Sequence, residues 1–455
     1  MKPISYLSGA YISLFLLGLA SCKKFVEVPS PINQLDITNV FTDDKTATAA
    51  VIGIYSDMEF SAPISMYLTL LSGLSTDELT YTAGDKGFSD FASNTYMPNN
   101  PYAASVWGIY SNIYEANSCI QGIQTSTGLL PGTKNQLLGE ARFSRAFCYF
   151  YLVNFFGDVP LALTTDYRIN DTLHRAPSSQ VYQQIITDLV AAQSLLSSDY
   201  PTDQRVRPNK WTATALLSRV YLYTHRWVEA EAQASSIVNS GLYSLSALES
   251  VFLNTSNETI WQLMPVNPTF NTQEGVIFIP GLISQIPTYP LSDDFINAFE
   301  PGDNRMPTWT GNTVLGSQTF YYPRKYQIAT GGTVSEDHIM FRLAEQYLIR
   351  AEARVRQVNI AGAIEDIDTI RSRAGLGALS ASLSSDQVSD AILQERRIEL
   401  FAELGHRWLD LKRTNQVDSI IGALKPSTWK PTAALWPVPQ NQRSADPFLT
   451  QNIGY

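Results

Sequence analysis

The sequence predicts a mainly α-helical fold built from pairs of helices, interrupted by two irregular, loop-rich regions. Apolar side chains recur at helical spacing through several long segments, and this spacing is the main indication of helix. Hydrophobic residues make up 44% of the chain, which is enough for a sizeable core. Two long regions interrupt the pattern with glycine, proline and asparagine, so we expect loops there.

The overall charge argues against one large class of partner. The formal net charge is −10, only 16% of residues are charged, and Lys and Arg form no run. Because phosphate binding requires concentrated basic side chains, we expect no nucleic-acid partner. Three cysteines and four histidines, scattered along the chain, leave little material for a metal site, and we expect neither a metal nor a cofactor.

The most regular helix pair spans residues 210–243. A break falls at His225–Arg226, and Gly241 closes the unit. Two helices within about 34 residues resemble a tetratricopeptide repeat. One such pair cannot bury its own apolar face, so several must stack. The spacing predicts buried side chains at Ala213, Leu216, Leu217, Val220, Tyr221, Trp227, Ala230, Ala234, Ile237 and Val238.

Three further pairs complete a predicted set of four. Residues 341–377 repeat the design and end near Gly375. Residues 135–158 pair with 178–196, and the break at 157–160 ends the first of these helices. Near the N-terminus, residues 42–59 pair with 105–124.

Two regions lie outside this scheme. Residues 73–104 are rich in Gly, Asn and Ser with aromatic residues throughout. Residues 254–335 carry many prolines and glycines, one helix around Asp293–Phe299, and short strands predicted at 259–264 and 276–280. Long loops inside an ordered helical body usually carry function.

Residues 395–414, ERRIELFAELGHRWLDLKRT, concentrate acids, bases and a histidine. We predict one helix over 390–413, with charge pairs between Arg396 and Glu399 and between Glu403 and Arg407. Gly405 either admits a close neighbour or breaks this helix. The chain contains no GxSxG, HExxH, phosphate-loop or EF-hand motif, so we interpret the cluster as structural and predict no enzyme. A glycoside hydrolase stays open as an alternative, because it needs only two carboxylates about 5–10 Å apart.

The first residues are predicted to be a lipoprotein signal peptide over 1–21. Lys2 precedes an apolar stretch from Ile12 to Ala20, and Leu19-Ala20-Ser21-Cys22 looks like a bacterial lipobox. Lipid attachment is therefore expected at Cys22, the alternative being an ordinary signal peptide with a chance cysteine. The compartment would permit a disulfide, but Cys119 and Cys148 fall on predicted helices, where we expect buried free thiols.

Residues 395–414 also resemble the hallmark near the C-terminus of the SusD/RagB family of Bacteroidetes outer-membrane lipoproteins. Further segments agree in order across almost the whole mature chain. They are CKKFVEVPSP, VFTDDKTATAAVIGIYSDM, RAFCYFYLVNFFGDVPL, FRLAEQYLIRAEA and LWPVPQNQRSADPFLTQNIGY. One departure is Lys23–Lys24 after the cysteine, where surface lipoproteins of these bacteria often carry an acidic run.

The resemblance implies a non-catalytic lipoprotein that lies on the external face of the outer membrane. Such proteins bind an oligosaccharide, or in some members a peptide, and deliver it to a SusC-like TonB-dependent transporter. The implied fold is SusD-like, with four tetratricopeptide-like helix pairs packed against an irregular, ligand-binding half. We expect one compact unit with an N-terminal region at 22–245 and a C-terminal region at 246–455. Within the latter, 254–335 is loop-rich, 336–414 helical and 415–455 a tail.

Candidate ligand residues follow from physical argument, because the family's ligand residues lie outside its shared motifs. Sugar rings rest on aromatic faces, while polar side chains hydrogen-bond their hydroxyls. Trp309 is the first choice, since Pro and Gly flank it and no helical stripe includes it. The first irregular region supplies Tyr81, Phe88, Phe91 and Tyr96 with Asp77 and Asp85. The second supplies Tyr289, Tyr321 and Tyr322 with Asn304 and Arg305.

Overall fold

The computed structural model describes residues 40–60, 64–267, 271–282 and 285–455, without the side chains of residues 60 and 65. The predicted signal peptide, the lipobox and Cys22 lie outside the described residues. Within the described ranges, no helix is both long enough and apolar enough to cross a lipid bilayer.

Helices dominate the structure, as the sequence predicts. The helices of the first half are α1 (Asp44–Phe60), α2 (Ile64–Ser75), α3 (Lys86–Ala92), α4 (Pro101–Trp107), α5 (Tyr110–Thr125), α6 (Pro131–Phe156), α7 (Tyr167–Asn170), α8 (Ser178–Leu195), α9 (Lys210–Tyr223) and α10 (Trp227–Val238). Those of the second half are α11 (Gln273–Phe278), α12 (Asp293–Ile296), α13 (Arg305–Trp309), α14 (Leu343–Arg356), α15 (Ile360–Arg373), α16 (Ser385–Glu399), α17 (His406–Arg413), α18 (Val417–Leu424) and α19 (Gln440–Ala445).

Strands are short and pair in twos. They are β1 (Val159–Pro160), β2 (Arg175–Ala176), β3 (Thr259–Leu263), β4 (Thr310–Leu315), β5 (Gln318–Pro323) and β6 (His338–Arg342). Each pair is antiparallel: β1 with β2, β3 with β6, and β4 with β5. The strand predicted at 259–264 is confirmed as β3. The strand predicted at 276–280 is wrong, because Thr272 accepts a hydrogen bond from the backbone N–H of Gly275 and starts α11 there.

The predicted helix pairs are present with the predicted breaks, except that the segment 105–124 is divided between α4 and α5 at Gly108–Ile109. In the pair over 210–243, α9 ends before His225, which adopts a left-handed φ of 59°, and Gly241 follows α10 with a φ of 70°. Asn209 and Thr212 form a reciprocal capping box that starts α9. The predicted inward positions of α9 are buried.

The long helix α6 lies at the centre of the first half. It packs against α5 on one side and α8 on another. Arg145 on α6 donates to Asp188 on α8 through Nε (2.9 Å) and Nη2 (2.7 Å), so a buried ion pair reinforces the apolar contact. Gly157 ends α6 at φ 73° and ψ −127°, a conformation that favours glycine. One hydrophobic core continues from α1 to the C-terminal tail.

Cys119 and Cys148 are both buried free thiols, as predicted. Burial raises the pKa of the Cys119 thiol to about 12, and burial likewise raises the pKa of Cys148. Both therefore stay protonated at neutral pH and pack as small apolar side chains.

The stretch 395–414 forms two helices, so the predicted single helix over 390–413 is wrong. Helix α16 ends at Glu399, three residues with positive φ follow (Ala402, Leu404 and Gly405), and α17 begins at His406. A Cβ on Gly405 would lie 2.8 Å from Oγ of Ser72. Gly405 therefore starts α17 in a left-handed conformation and admits a close neighbour, while the helix break itself falls earlier, after Glu399.

Most charges of this stretch are buried, and most of their pairs join different elements. The predicted pairs within one helix are replaced by Arg396 Nε with Asp410 (2.7 Å) and Arg407 Nη2 with Asp77 (2.7 Å). Glu403 instead binds Arg342 of β6 (2.8 Å). We call the central group the ion-pair network. Its members are Glu258, Arg305, Lys325, Arg342, Arg373, Glu399 and Glu403.

Arginines control the ionisation of the network's acids. Burial alone would raise the pKa of Glu399, but the charges of Arg373, Arg342 and Arg305 outweigh burial and hold the pKa well below its usual value. The pKa of Glu403 is also lowered, because the charges of Arg342 and Lys325 outweigh its burial. These side chains hold β3, β6, α13, α15 and α16 together, so the cluster has a structural role.

One buried acid outside the ion-pair network, Glu59, is poorly compensated. Glu59 is 4% exposed, and its Oε2 finds no hydrogen-bond partner among the described residues. Burial raises the pKa of Glu59 to about 8, with a lowering contribution from His338 and raising ones from Glu274 and Asp337. Glu59 is therefore mostly neutral in the folded protein at pH 7 and ionised in the unfolded chain.

We expect Glu59→Gln to stabilise the protein increasingly as the pH rises. Because the folded pKa exceeds the unfolded one, wild type loses stability between about pH 4.5 and 8, and the glutamine variant escapes this loss. The difference in unfolding free energy should grow by more than about 1.4 kcal/mol from pH 5 to pH 9, the equivalent of one pKa unit. Urea denaturation at both pH values measures it. The exposed Glu365→Gln serves as the control, and parallel pH curves for wild type and Glu59→Gln would refute the assignment.

Candidate ligand-binding site

The two irregular regions predicted from the sequence lie side by side in the fold. Leu79 forms a β-bridge with Leu291, and the backbone N–H of Thr80 donates to the carbonyl of Pro290 (2.8 Å). The backbone N–H of Leu291 also donates to the carbonyl of Tyr321 on β5 (2.8 Å). Residues 79–82 therefore run beside 288–291, which run beside the β4–β5 hairpin, and aromatic residues about 200 positions apart meet.

Five aromatic side chains form a contiguous cluster that we call the aromatic patch: Tyr67, Tyr81, Phe88, Tyr102 and Tyr289. Phe88 is its hub, stacked on Tyr102 with ring centroids 3.8 Å apart and rings 17° from parallel. Phe88 also lies 5.8 Å from Tyr81 and 5.6 Å from Tyr289. Tyr81 stacks on Tyr289 at 5.5 Å, and Tyr67 approaches Tyr102 at 5.9 Å.

Capped helices hold the rings in place. Asp85 caps α3 by accepting from the backbone N–H of Phe88 (3.2 Å). Asn100 caps α4 by accepting from the backbone N–H of Tyr102 (3.0 Å). The Nδ2 of Asn100 donates to the carbonyl of Gly87 (3.0 Å), which ties the two short helices together. Side-chain caps of this kind stabilise a helix start by ~1 kcal/mol, so the ring positions are preorganised.

The patch remains partly open to solvent. Tyr67, Tyr81, Phe88 and Tyr102 are half-buried, whereas Tyr289 is buried at 8% exposure and supports Tyr81 and Phe88. The loop 82–86 beside them is exposed throughout. A rigid group of partly exposed rings is a common lining of a small-molecule site.

Polar groups around the rings are neutral donors and one carboxylate. The hydroxyl of Tyr81 accepts from the backbone N–H of Asp85 (2.9 Å), and the exposed Asp85 side chain hydrogen-bonds Tyr102. Burial, aided by the charge and hydrogen bond of Asp85, raises the pKa of Tyr102 to about 12. Burial and the neighbouring Tyr81 raise the pKa of Tyr289. Tyr102 and Tyr289 therefore stay protonated at neutral pH.

Four of the sequence-predicted candidates meet in the patch: Tyr81, Phe88, Tyr289 and Asp85. Sequence reasoning missed Tyr67 and Tyr102. Tyr102 lies inside the first irregular region, directly after Asn-Asn-Pro, a helix-start signal that marks a preorganised position. Tyr67 lies within an almost wholly apolar stretch, where nothing in the sequence separates it from core residues.

Trp309, the first choice from the sequence, is corrected to a core residue. It is 1% exposed, its Nε1 donates to the carbonyl of Leu248 (2.9 Å), and Phe252 packs edge-on at 5.5 Å. The Nζ of Lys325 lies 4.7 Å from its ring centroid. The ring is covered by the ion-pair network and leaves no face for a ligand.

Four further candidates are corrected because their side chains are already engaged in the interior. Tyr96 is 1% exposed and donates its hydroxyl to the carbonyl of Ala433, and Phe91 packs against it at 4.9 Å. Asp77 is 4% exposed and is bound by Arg407 and Arg397. Arg305 is 1% exposed and belongs to the ion-pair network.

The remaining candidates lie near the surface outside the patch as defined. Asn304 is exposed, and its backbone N–H donates to the carbonyl of Ala374 at the end of α15 (3.0 Å). Tyr322 is half-buried on β5, where its ring covers Gly311 of β4, and Tyr321 is half-buried beside it. A role for these residues in ligand binding stays a prediction. Across the described ranges, no group of three or more His, Cys, Asp or Glu side chains is arranged to hold a metal ion.

Comparisons with known proteins agree with this architecture. Residues 303–455 match the model of the SusD family, and residues 24–222 match the model described as starch-binding associating with outer membrane. SusD-like protein P38 from Formosa agariphila is 25% identical over 532 residues, covering 100% of both chains.

Solved structures show the same fold. A SusD superfamily protein from Bacteroides vulgatus superposes with a TM-score of 0.82 at 20% identity, over 91% of this chain and 100% of its own. A laminarin-binding SusD-like protein superposes with a TM-score of 0.78 at 23% identity, again over 91% and 100%. Both family models point to one family, and the relative aligned over its full length and the shared fold agree with it. The chain belongs to the SusD family.

Proposed function

We propose that the protein binds an oligosaccharide at the aromatic patch and delivers it to a SusC-like TonB-dependent transporter of the outer membrane. The observation that carries the proposal is the patch itself, a preorganised, partly exposed group of rings built from both irregular regions. The laminarin-binding SusD-like protein of the same fold supports a glycan as the ligand class.

The chemistry of the patch suits a neutral sugar. The C–H faces of pyranose rings pack on aromatic faces, and protonated phenols with Asp85 supply donors and an acceptor for hydroxyls. The positive charge of Lys86 beside the patch is paired with Asp90, although the Lys86 side chain is 81% exposed. The net charge of −10 disfavours strongly acidic ligands.

The proposed function is binding without cleavage. Glycoside hydrolysis requires a second carboxylate about 5–10 Å from the first, across the bound sugar. Of the carboxylates nearest in sequence to Asp85, Asp90 pairs with Lys86, while Glu78 and Asp77 are buried at 3% and 4% exposure. Asp85 itself accepts from the backbone N–H of Phe88 through Oδ1, so one of its oxygens serves the fold as the cap of α3.

A titration tests the ligand class. The mature chain is titrated with laminarin, starch, xylan and mannan oligosaccharides and with short peptides, and heat and intrinsic fluorescence are followed. We expect saturable binding of at least one glycan and no hydrolysis products. Binding of peptides with silence across all glycans would favour a peptide-binding member of the family and contradict the proposal.

The location of the protein follows from its proposed lipid anchor at Cys22, with the protein on the external face of the outer membrane. Each buried methylene of an acyl chain contributes ~0.8 kcal/mol to membrane attachment, so several chains hold a protein firmly. We expect Cys22→Ala to abolish incorporation of labelled palmitate and to move the protein from the membrane fraction to the soluble fraction. Cys119→Ala, at a thiol that is 3% exposed, is the matched control and should remain labelled. A Cys22→Ala protein that is still labelled would refute the anchor.

A further inference from the structure

A cavity of about 350 Å³ opens between α5, the segment after β1 and the C-terminal helix α19. Tyr110, Ile113, Tyr114 and Asn117 line it from one face of α5, at the three- and four-residue spacing of a helix. It shares no lining residue with the aromatic patch. Small-molecule sites in proteins occupy about 300–1,000 Å³, so the cavity has room for one small ligand.

A tyrosine on this face presents an open ring. Tyr114 is 50% exposed, although it lies on a helix whose neighbouring positions Ile113 and Asn117 are buried. Trp107 and Tyr110, whose ring centroids are 5.2 Å apart, form the adjoining wall. A half-exposed tyrosine on a rigid helix offers a flat apolar face at low entropic cost.

The opposite wall supplies hydrogen-bonding groups that the fold does not fully use. Asn170 donates through Nδ2 to the carbonyl of Thr164 (2.9 Å), but its Oδ1 is buried with no partner among the described residues. Asp171 and Gln442 line the cavity and are exposed, and Asp446 adds a second carboxylate. Asn117 holds this wall in place by donating to the carbonyl of Ala162 (3.0 Å).

The lining selects a class of ligand. A stacking ring beside amide and carboxylate acceptors matches a molecule with apolar C–H faces and several hydroxyl donors. Asp171 and Asp446 are the charged side chains of the lining, and no cation accompanies them among its described residues, which disfavours sulfated or carboxylated sugars.

We propose that this cavity is a second saccharide site, which binds one neutral sugar residue stacked on Tyr114. The inference goes beyond the proposed function, because it neither requires the aromatic patch nor follows from it. A long glycan that reached both sites would gain affinity through effective concentration.

The test separates the two sites with matched variants. Saturation-transfer NMR is recorded with glucose, galactose, mannose and xylose as probes, on a Phe88→Ala background that removes the hub of the aromatic patch. We expect a sugar signal to persist on this background and to fall at least fivefold on adding Tyr114→Ala. Tyr114→Phe, which keeps the ring, should retain the signal. Tyr167→Ala is the control, since Tyr167 is 69% exposed and does not line the cavity.

Each outcome decides between the proposals. A signal lost with Phe88→Ala alone would overturn the cavity site and leave the proposed function standing. A signal that persists with Phe88→Ala and is unaffected by Tyr114→Ala would also overturn the cavity site. The absence of a saturation-transfer signal from wild type with all four sugars would also overturn the cavity site. The proposed function would still be judged by the oligosaccharide titration. Thermal melts confirm that each variant is folded.

Discussion

Replacing Arg342 by methionine is expected to lower the free energy of unfolding by about 3–5 kcal/mol, the cost of leaving buried charges without their partner. Arg342 is 1% exposed and donates to Glu258 (2.8 Å), Glu399 (2.6 Å) and Glu403 (2.8 Å). Methionine fills similar volume but leaves these acids with fewer positive charges. Chemical denaturation at pH 7 measures the loss.

The loss of unfolding free energy caused by Arg342→Met should become smaller at acidic pH. The lowered pKa values of Glu399 and Glu403 stabilise wild type above about pH 4.5, and this stabilisation is lost as the pH falls through their folded pKa values. Arg226→Met is the matched control, because its pair with Glu229 has both side chains 41% exposed. Such a pair contributes less than about 1 kcal/mol. Equal losses for the two variants would show that the ion-pair network does not hold the fold together.

Replacing Phe88 by alanine is expected to weaken glycan binding at least about 30-fold, which corresponds to about 2 kcal/mol, the threshold of a binding hot spot. Phe88 contacts Tyr81, Tyr102 and Tyr289, so its loss removes a ring and loosens three others. Because Phe88 is half-buried, the loss of stability should stay below the ~3–5 kcal/mol of a core phenylalanine. Calorimetric titration with the tightest glycan gives the affinity.

Two variants make this result specific. Phe88→Tyr keeps a ring at the hub, and its affinity is expected to stay within about fivefold of wild type. Tyr167→Ala removes an exposed ring outside the patch and should leave the affinity unchanged. An unchanged affinity for a folded Phe88→Ala protein would place the glycan elsewhere on the molecule.

The helical half of the fold was predictable because its signal is local. The apolar period of α9 and α10, the break at His225 and the closing Gly241 all lie within about 34 residues, and all were confirmed. The stretch 395–414 shows the limit of such reasoning. Its spacing fits one helix, but the close approach of Ser72 to Gly405 depends on a helix more than 300 residues away in sequence.

The candidate site was predictable only in part, because loop composition is a local signal whereas the exposure of a ring is not. Composition indicated both irregular regions, and Tyr81, Phe88 and Tyr289 meet there. Whether one aromatic ring in a loop is open or covered depends on distant partners. Trp309 and Tyr81 have similar local surroundings in sequence, yet Lys325 and Phe252 cover Trp309. The sequence around Asp77 likewise does not indicate that its carboxylate is bound by Arg407, which lies 330 residues away along the chain.

A crystal structure of the mature chain with its tightest oligosaccharide decides most directly whether the aromatic patch is the ligand site. We expect a sugar ring in van der Waals contact, within about 4.5 Å, with Tyr81, Phe88 or Tyr102, and a sugar hydroxyl hydrogen-bonded to Asp85 or a phenol. A fully ordered oligosaccharide bound elsewhere, with the patch empty, would contradict the proposed function of these rings.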